Sequence, residues 1–94
     1  MYGTIARARL KPGMEKQLIE QFRIFEAAKV PGAVASYCYR MDSDLNEYYI
    51  VAVFSSKEAY QANAASPEQD ARYRQMLPLM EGEPEWHDGE IIWP

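Results

Sequence analysis

Few residues of this chain could carry chemistry, and His87 is the first of them. It is the only histidine, and histidine is the side chain that changes charge near neutral pH without any perturbation. Trp86 and Asp88 flank it. His87 could therefore act as a base for a substrate, held by the neighbouring carboxylate. The simpler alternative is a partly exposed strand histidine near the edge of a dimer.

Two arginines form the second candidate group. Arg7 and Arg9 alternate with Ile5, so the three side chains share one face of a predicted first strand. If that face lines a cavity, Arg7 could stabilise the oxygen of a phenolate or an enolate. The alternative is that both arginines extend along the sheet to reach carboxylates at its margin.

Other kinds of site lack the residues that they need. One histidine and one cysteine cannot supply the usual nitrogen and sulfur ligands of a metal, and the acidic residues do not follow calcium-loop spacing. No glycine-rich phosphate loop follows a strand, and no strained turn presents a nucleophilic serine. Cys38, on a strand without a basic neighbour, is expected to be a buried, inert thiol. We expect neither a metal nor a cofactor.

Length and composition predict one domain over residues 1–94. A chain this short buries only about 60–65% of the surface of its unfolded state. Hydrophobic residues nevertheless make up 48% of it, with seven Tyr, three Phe and two Trp. This surplus favours a second apolar face, which another subunit or a ligand would cover.

Charge and hydropathy exclude several classes of partner. The net charge is −4, and no Lys/Arg cluster could follow a phosphate backbone, so we expect no nucleic acid. The longest apolar run, Tyr48–Phe54, is far shorter than the roughly 20 residues of a membrane span. A strand pattern begins almost at the first residue and leaves no room for a signal peptide. We therefore expect a cytoplasmic protein with no membrane partner.

Alternation of apolar and polar residues predicts four strands, at Tyr2–Leu10, Ala33–Met41, Glu47–Phe54 and Pro84–Trp93. Helical spacing of apolar residues begins at Met14, and Val30-Pro31-Gly32 ends this first helix. Ser55–Glu58 fits a capping box, in which the Ser55 hydroxyl satisfies a free amide at the start of a helix. Ser66-Pro67 repeats the device for a further helix, and Pro78 weakens its last turn.

The resulting order, β-α-β-β-α-β with a split second helical region, predicts the ferredoxin-like α+β plan: an antiparallel sheet with helices on one face. The other face would be open to water in a monomer. Tyr37 and Tyr39 share one face of the second strand. Their simplest role is to pack against side chains of neighbouring strands, and a role as walls of a pocket is the alternative. Pairing two such sheets into a dimeric barrel would bury both open faces, so we expect a homodimer.

Three segments resemble a known family. The junction Lys11-Pro12-Gly13, the segment FSSKEAYQANAASPEQ and the ending EPEWHDGEI look like the antibiotic biosynthesis monooxygenase-like group of dimeric α+β barrels. Members include cofactor-independent oxygenases of polyketide anthrones or quinols, haem-degrading enzymes, and small proteins without an assigned activity. The resemblance thus implies a dimeric barrel and an oxygenase that uses neither metal nor flavin.

The resemblance also points to positions. The haem-degrading branch has an Asn, a Trp and an axial His where this chain has Ala6, Asn63 and Tyr73, so haem degradation is not expected. The quinol-oxygenase branch often has a His at the position of Asn63. An asparagine can hydrogen-bond a substrate oxygen, but it cannot act as a general base near neutral pH. Asn is also mildly unfavourable in the middle of a helix, which favours a role in ligand contact.

Three functional hypotheses follow. The first is a small cofactor-independent monooxygenase acting on an aromatic, phenolic or quinol-type molecule held between helices and sheet. The second is a non-catalytic dimer that binds a small apolar ligand or has a structural role, and the third is an isomerase or lyase of a related barrel family. The candidate catalytic residues are His87, Asn63 and Arg7, and the candidate substrate contacts are Tyr73, Tyr37, Tyr39 and Trp86. Convergence of His87, Arg7 and Asn63 on one cavity would favour an enzyme.

Overall fold

The computed structural model describes residues 1–94 as one antiparallel sheet and three α-helices. The strands are β1 (Tyr2–Arg9), β2 (Ala33–Arg40), β3 (Glu47–Phe54) and β4 (Glu85–Glu90). The helices are α1 (Glu15–Ala27), α2 (Lys57–Ala64) and α3 (Pro67–Met76), and a 3-10 turn covers Leu77–Leu79. The order β-α-β-β-α-α-β is the predicted ferredoxin-like plan with its split second helical region, which is confirmed.

The strand order is β2-β3-β1-β4, with every neighbouring pair antiparallel. Ala6 of β1 lies opposite Ile50 on one side and Trp86 on the other. Because side chains alternate along a strand, the even-numbered residues of β1, β3 and β4 share the face that the helices cover. The odd-numbered residues of these three strands share the open face.

Several element ends differ from prediction, since β1 ends at Arg9 and β2 at Arg40, each one residue early, and β4 begins at Glu85, one residue late. Ser56, not Ser55, caps α2, because its hydroxyl accepts the Ala59 amide at 3.1 Å. Ser66 caps α3 as predicted and accepts the Gln69 amide at 3.1 Å. The last strand stops at Glu90 instead of continuing to Trp93.

Seven of the eight buried hydrophobic residues, all but Phe54, gather at one end of the layer between helices and sheet. They are Ala6, Ala8, Leu10, Leu18, Tyr48, Ile50 and Met80, with Met14, Phe22, Met76 and Leu79 packed around them. Two of the side chains are short alanines of β1, which lets Leu18 of α1 approach the sheet closely enough to be fully buried. We call this cluster the packed end.

A polar network ties the start of α1 to the packed end. The Tyr48 hydroxyl donates to Glu15 Oε1 at 2.8 Å, and Arg40 Nη1 donates to the same oxygen at 2.6 Å. These two hydrogen bonds, the one from Tyr48 first, hold the pKa of the Glu15 carboxyl below its ordinary value. Burial and the same carboxylate raise the pKa of Tyr48.

The open face of the sheet carries apolar side chains with charged residues beside them. Ile5, Tyr37 and Tyr39 are each more than half exposed there. Arg7 pairs with Glu47 at 3.3 Å, and Arg9 pairs with Asp44 at 2.7 Å. Only 11 of the 94 residues are buried, so the predicted surplus of apolar surface lies largely outside the core.

Candidate functional site

The other end of the helix–sheet layer holds a cavity of about 430 Å³ between the three helices and the sheet. Most of its wall is apolar or aromatic, and its aromatic rings are those of Phe22, Phe25, Phe54, Tyr60, Tyr73 and Trp86. A few polar groups interrupt this wall. A largely apolar cavity with few polar groups is the usual form of a site for a small molecule. We call it the hollow end.

The cavity exists because its floor is made of short side chains. Ser36 of β2 lies opposite Ala52 of β3, and Ala52 lies opposite Thr4 of β1. Three adjacent strands therefore contribute a row of small residues across the sheet. The helices above cannot close on such a floor without a large side chain to meet them, so a space remains.

The Asn63 amide has a defined orientation in the cavity wall. Arg72 Nη2 donates to Asn63 Oδ1 at 3.3 Å. Arg72 is held in turn by Gln69 Oε1, 3.1 Å from its Nε, and its guanidinium lies 5.6 Å from the centre of the Phe25 ring. Arginine can only donate hydrogen bonds, so the amide oxygen must face Arg72. The NH₂ group is then available to donate to a ligand.

Asn63 lies in the last turn of α2 and not in the middle of the helix as predicted. The helix ends at Ala64, and the Ser66 hydroxyl donates to the Asn63 carbonyl at 2.8 Å. The Ser66 backbone amide donates to the same carbonyl at 3.0 Å, so Ser66 satisfies a carbonyl at the end of the helix twice. The joint between α2 and α3 therefore fixes the backbone that carries Asn63.

A second polar pair, Tyr60 and Asp88, lines the cavity from α2 and β4. The Tyr60 hydroxyl donates to Asp88 Oδ1 at 2.8 Å. The Tyr60 ring packs against Phe54 and Tyr2, with ring centres 5.4 and 5.3 Å away. Burial first, and then the Asp88 carboxylate, raise the pKa of Tyr60 to about 12. Tyr60 is therefore protonated near neutral pH, and its proton points at Asp88.

Thr4 completes this polar corner. Thr4 is the cross-strand partner of Asp88 and is only 4% exposed. Its hydroxyl is near enough to Tyr60 to oppose the rise of the tyrosine pKa. The two hydroxyls nevertheless do not meet in hydrogen-bond geometry, and no other protein group pairs with Thr4 Oγ1. A buried hydroxyl without a partner costs about 1–3 kcal/mol, so it calls for an explanation.

Two aromatic residues form another wall. The rings of Tyr73 and Trp86 lie 5.9 Å apart at an interplanar angle of 58°, and both residues line the cavity. Such tilted pairs present ring edges and faces to whatever enters between helix and sheet. Their position suits a flat aromatic molecule.

The structure separates the predicted site residues into two groups. Asn63, Tyr73 and Trp86 line the cavity. The other four residues lie on the open face of the sheet: Arg7, His87, Tyr37 and Tyr39. The register shows this, because His87 pairs with Ile5, and Tyr37 pairs with Val51. Arg7 and Tyr39 both pair with Tyr49. The convergence of His87, Arg7 and Asn63 on one cavity, which we had expected for an enzyme, does not occur within the chain.

The partners of the two charged residues differ accordingly. His87 Nε2 lies 2.8 Å from Glu85 Oε1, two residues away on the same face. Asp88 points to the opposite face and cannot orient His87. The hydrogen bond to Glu47 holds the pKa of Arg7 above its ordinary value, so Arg7 is an ion-pair partner at the sheet surface.

Sequence reasoning missed Tyr60 and Thr4 and gave Asp88 the wrong neighbour. One sequence signal could have placed Asp88 on the correct face. Trp86 is the large apolar residue of β4, and the face that it occupies is the one that the helices cover. Asp88 shares the parity of Trp86, whereas His87 does not.

Cys38 is exposed rather than buried, which corrects the prediction. Even so, desolvation by the atoms around its sulfur, and then the charge of Glu15, raise the pKa of its thiol to about 11.

The structure contains no group of three or more His, Cys, Asp or Glu side chains that could hold a metal ion. No helix is long and apolar enough to cross a membrane.

Comparison with known proteins agrees with this architecture. The sequence profile of the antibiotic biosynthesis monooxygenase family matches residues 1–75. The chain belongs to that family, as the sequence resemblance indicated. No curated protein matches the sequence.

Several solved structures share the fold. A mutant of SnoaB, a cofactor-independent oxygenase from Streptomyces nogalater, is 18% identical with a TM-score of 0.83, over 99% of this chain and 94% of that one. A candidate antibiotic biosynthesis monooxygenase from Chloroflexus aurantiacus is 24% identical with a TM-score of 0.78, over the same shares. Another from Nitrosomonas europaea is 14% identical with a TM-score of 0.81, over 99% and 91%. At these identities the likeness shows the fold alone.

Proposed function

We propose that this single-domain protein is a cofactor-independent monooxygenase that acts on a small aromatic molecule of phenolic or quinol type. The observation that carries the proposal is the hollow end, an aromatic-walled cavity of about 430 Å³ into which an oriented amide can donate. Family membership supports the reaction class. SnoaB, which has the same fold, is itself a cofactor-independent oxygenase.

The proposed chemistry needs little from the protein. Loss of a proton from an electron-rich phenol or anthrone leaves an anion that can itself pass electrons to molecular oxygen. For an anthrone, the ring CH₂ becomes C=O, one oxygen atom enters the product, and the other leaves as water with the two hydrogens. The Asn63 NH₂ group would donate to the anionic oxygen and stabilise the charge as it develops.

Tyr73 and Trp86 would hold the flat ring of the substrate by aromatic contact and exclude water from one side of it. The apolar wall would strengthen the hydrogen bond from Asn63, because electrostatic interactions are stronger where water is excluded. The chain's own residues would thus bind, orient and stabilise, and the substrate would supply the electrons.

A second candidate function is non-catalytic binding of a small apolar ligand in the same cavity. One observation favours it: His87 and Arg7, the predicted base and the predicted anion-stabilising group, do not reach the cavity. Under this alternative the hollow end would hold a ligand without turnover.

We further propose that the protein forms a homodimer through the open face of the sheet. Ile5, Tyr37 and Tyr39 would be covered there, and the ion pair between Arg7 and Glu47 would lie near the edge of the interface. The charged residues beside the apolar side chains are typical of interface rims.

The test is oxygen uptake in the presence of a chelator, with anthrones, naphthols and quinols as substrates. We expect uptake above the spontaneous rate for at least one of them. Asn63→Ala should lower the rate by about 100-fold, the size of effect seen when one donor to a developing anion is removed. Gln61→Ala, an exposed position of the same helix outside the cavity, is the matched control and should have no effect.

Two results would overturn the oxygenase proposal. If no compound raises uptake above background while the aromatic compounds bind, the binding function is the better account. If His87→Ala abolishes uptake and Asn63→Ala does not, the chemistry belongs to the open face and its subunit contact instead of the hollow end.

A further inference from the structure

We propose that Asp88, Tyr60 and Thr4 form a subsite for the hydroxyl group of the bound aromatic molecule. The inference rests on the proposed function only in assuming that such a molecule enters the hollow end. Within that class it names the residues that would recognise the free hydroxyl, and it predicts selection against a methylated or missing hydroxyl.

The sheet register places two of the three members, Thr4 and Asp88, side by side. Thr4 and Asp88 are direct cross-strand partners on the face that the helices cover. Side chains in such pairs have Cβ atoms about 4.5–5.5 Å apart, a spacing that lets one ligand hydroxyl reach both. Ala52, the other cross-strand partner of Thr4, has no polar group to compete with the ligand.

Tyr60 holds the carboxylate from above and leaves it able to accept another hydrogen bond. Its hydroxyl donates to Asp88 Oδ1 at 2.8 Å, and no side chain donates to the other carboxylate oxygen, Oδ2. An ionised carboxylate can accept several hydrogen bonds. Asp88 is exposed to solvent, and its Oδ2 remains able to accept a hydrogen bond from a ligand hydroxyl.

Thr4 supplies the complementary group. Its buried hydroxyl lacks a protein partner. It can donate a hydrogen bond to the ligand hydroxyl oxygen, while that ligand hydroxyl donates its own hydrogen bond to Asp88. One hydroxyl would therefore satisfy both residues at once. A methyl ether could accept from Thr4 but could not donate to Asp88, and an unsubstituted ring could do neither.

Asn63 makes the opposite demand on the ligand, because its free NH₂ group can only donate. The cavity wall therefore offers an acceptor at Asp88 and a donor at Asn63. A ligand with one hydroxyl and a second oxygen that only accepts would satisfy both groups. This polarity distinguishes the subsite from a purely apolar pocket.

The test is isothermal titration calorimetry with 2-naphthol, 2-methoxynaphthalene and naphthalene. We expect the intact protein to bind 2-naphthol about 10–100-fold more tightly than 2-methoxynaphthalene, since hydrogen bonds to charged groups have this worth. In Asp88→Asn the carboxamide oxygen can keep the bond from Tyr60 and present NH₂ to the ligand. The preference for 2-naphthol should then vanish or reverse.

Thr4→Val keeps the shape of the side chain and should reduce 2-naphthol affinity by about threefold to tenfold. Glu90→Gln, which removes a charge from the same strand outside the cavity, is the matched control and should leave the preference intact. Thermal melting of each variant checks its folding. If Asp88→Asn fails to fold, the ligand series on the intact protein and Thr4→Val still decide.

Equal affinities for 2-naphthol and 2-methoxynaphthalene, or no binding of either, would overturn the subsite. A retained preference in Asp88→Asn would also overturn it. Calorimetry reports selection of the ligand, whereas oxygen uptake reports turnover. A hydroxyl preference without oxygen uptake would therefore contradict the oxygenase alone, and uptake without a preference would contradict the subsite alone.

Discussion

The packed end and the hollow end are built from the same strands and helices, yet they differ in what lies between the layers. At the packed end β1 contributes Ala6 and Ala8, Leu10 follows directly after the strand, and Leu18 of α1 is fully buried against this cluster. At the hollow end β1 contributes Thr4, beside Ala52, and the helices leave a cavity. One layer thus has a close-packed core at one end and a cavity at the other.

Phe22 shows how close the two regions are, because it packs against the buried cluster and also lines the cavity. The difference therefore depends on side-chain size along each strand and not on a change of fold. Where the side chains of the sheet are short, the same architecture leaves a cavity with polar atoms in its wall. The comparison teaches that stability and binding can be altered separately, and the following predictions test that claim.

The largest expected effect is the loss of a buried side chain at the packed end. Leu18→Ala should lower the free energy of unfolding by about 2–5 kcal/mol, because it removes buried contacts and leaves a cavity. Phe25→Ala at the hollow end should cost only about 1–1.5 kcal/mol, since Phe25 is half-buried and already borders a space. Chemical denaturation measures both. Equal losses would show that the hollow end contributes to stability as much as the packed end.

An intermediate effect is expected when one short side chain is enlarged at each end. Ala6→Leu should destabilise the protein by about 1–3 kcal/mol through overpacking, because Ala6 is fully buried. Ala52→Leu places the same atoms on the cavity floor, so the unfolding free energy should change by less than about 1 kcal/mol. The same variant should weaken 2-naphthol binding by at least about tenfold, by occupying the space that a ligand needs.

Denaturation and calorimetry on Ala6→Leu and Ala52→Leu can each contradict the proposed difference between the two ends. If Ala52→Leu is as destabilising as Ala6→Leu, the hollow end is more tightly closed than the cavity implies. If Ala52→Leu binds 2-naphthol normally, the ligand site lies elsewhere.

The smallest expected effect concerns pH. The folded-state pKa of Glu15 lies below its ordinary value of 4.5, so this carboxylate stabilises the fold above that pH. The contribution is lost as the pH falls from 4.5 through the folded-state pKa. Glu15→Gln should therefore make the unfolding free energy less dependent on pH in that acidic range.

Glu26→Gln, at the other end of α1 and without an ion pair, is the matched control for this pH measurement. It removes one negative charge from the same helix and leaves the polar network intact, so a change found only in Glu15→Gln reflects that network. Urea denaturation between pH 3 and 7 decides the matter. If the unfolding free energy of Glu15→Gln depends on pH as steeply as that of the intact protein, the polar network does not stabilise the packed end.

The sequence was sufficient for the strands, because alternation and turn residues are local signals. It was less informative where two neighbours were equally suited, as with Ser55 and Ser56 at the start of α2. Either serine can cap a helix, and only the backbone geometry selects Ser56.

The site was harder to predict because it depends on the relative position of distant strands. Thr4 and Asp88 are more than 80 residues apart, and each alone is an ordinary polar residue of a strand. Their relation exists only in the β1–β4 register. A shift of one residue would exchange Asp88 for His87 on the covered face, so the sequence alone could not decide which of them meets a ligand.

The row of short side chains under the cavity has a consequence for how such a protein can evolve. Ser36, Ala52 and Thr4 come from three different strands, and each contributes little to the buried cluster at the packed end. Substitutions on this floor can reshape the binding space one position at a time while the fold stays above its stability threshold. New ligand preferences could therefore accumulate by single steps, which is how one scaffold comes to serve unrelated chemistries.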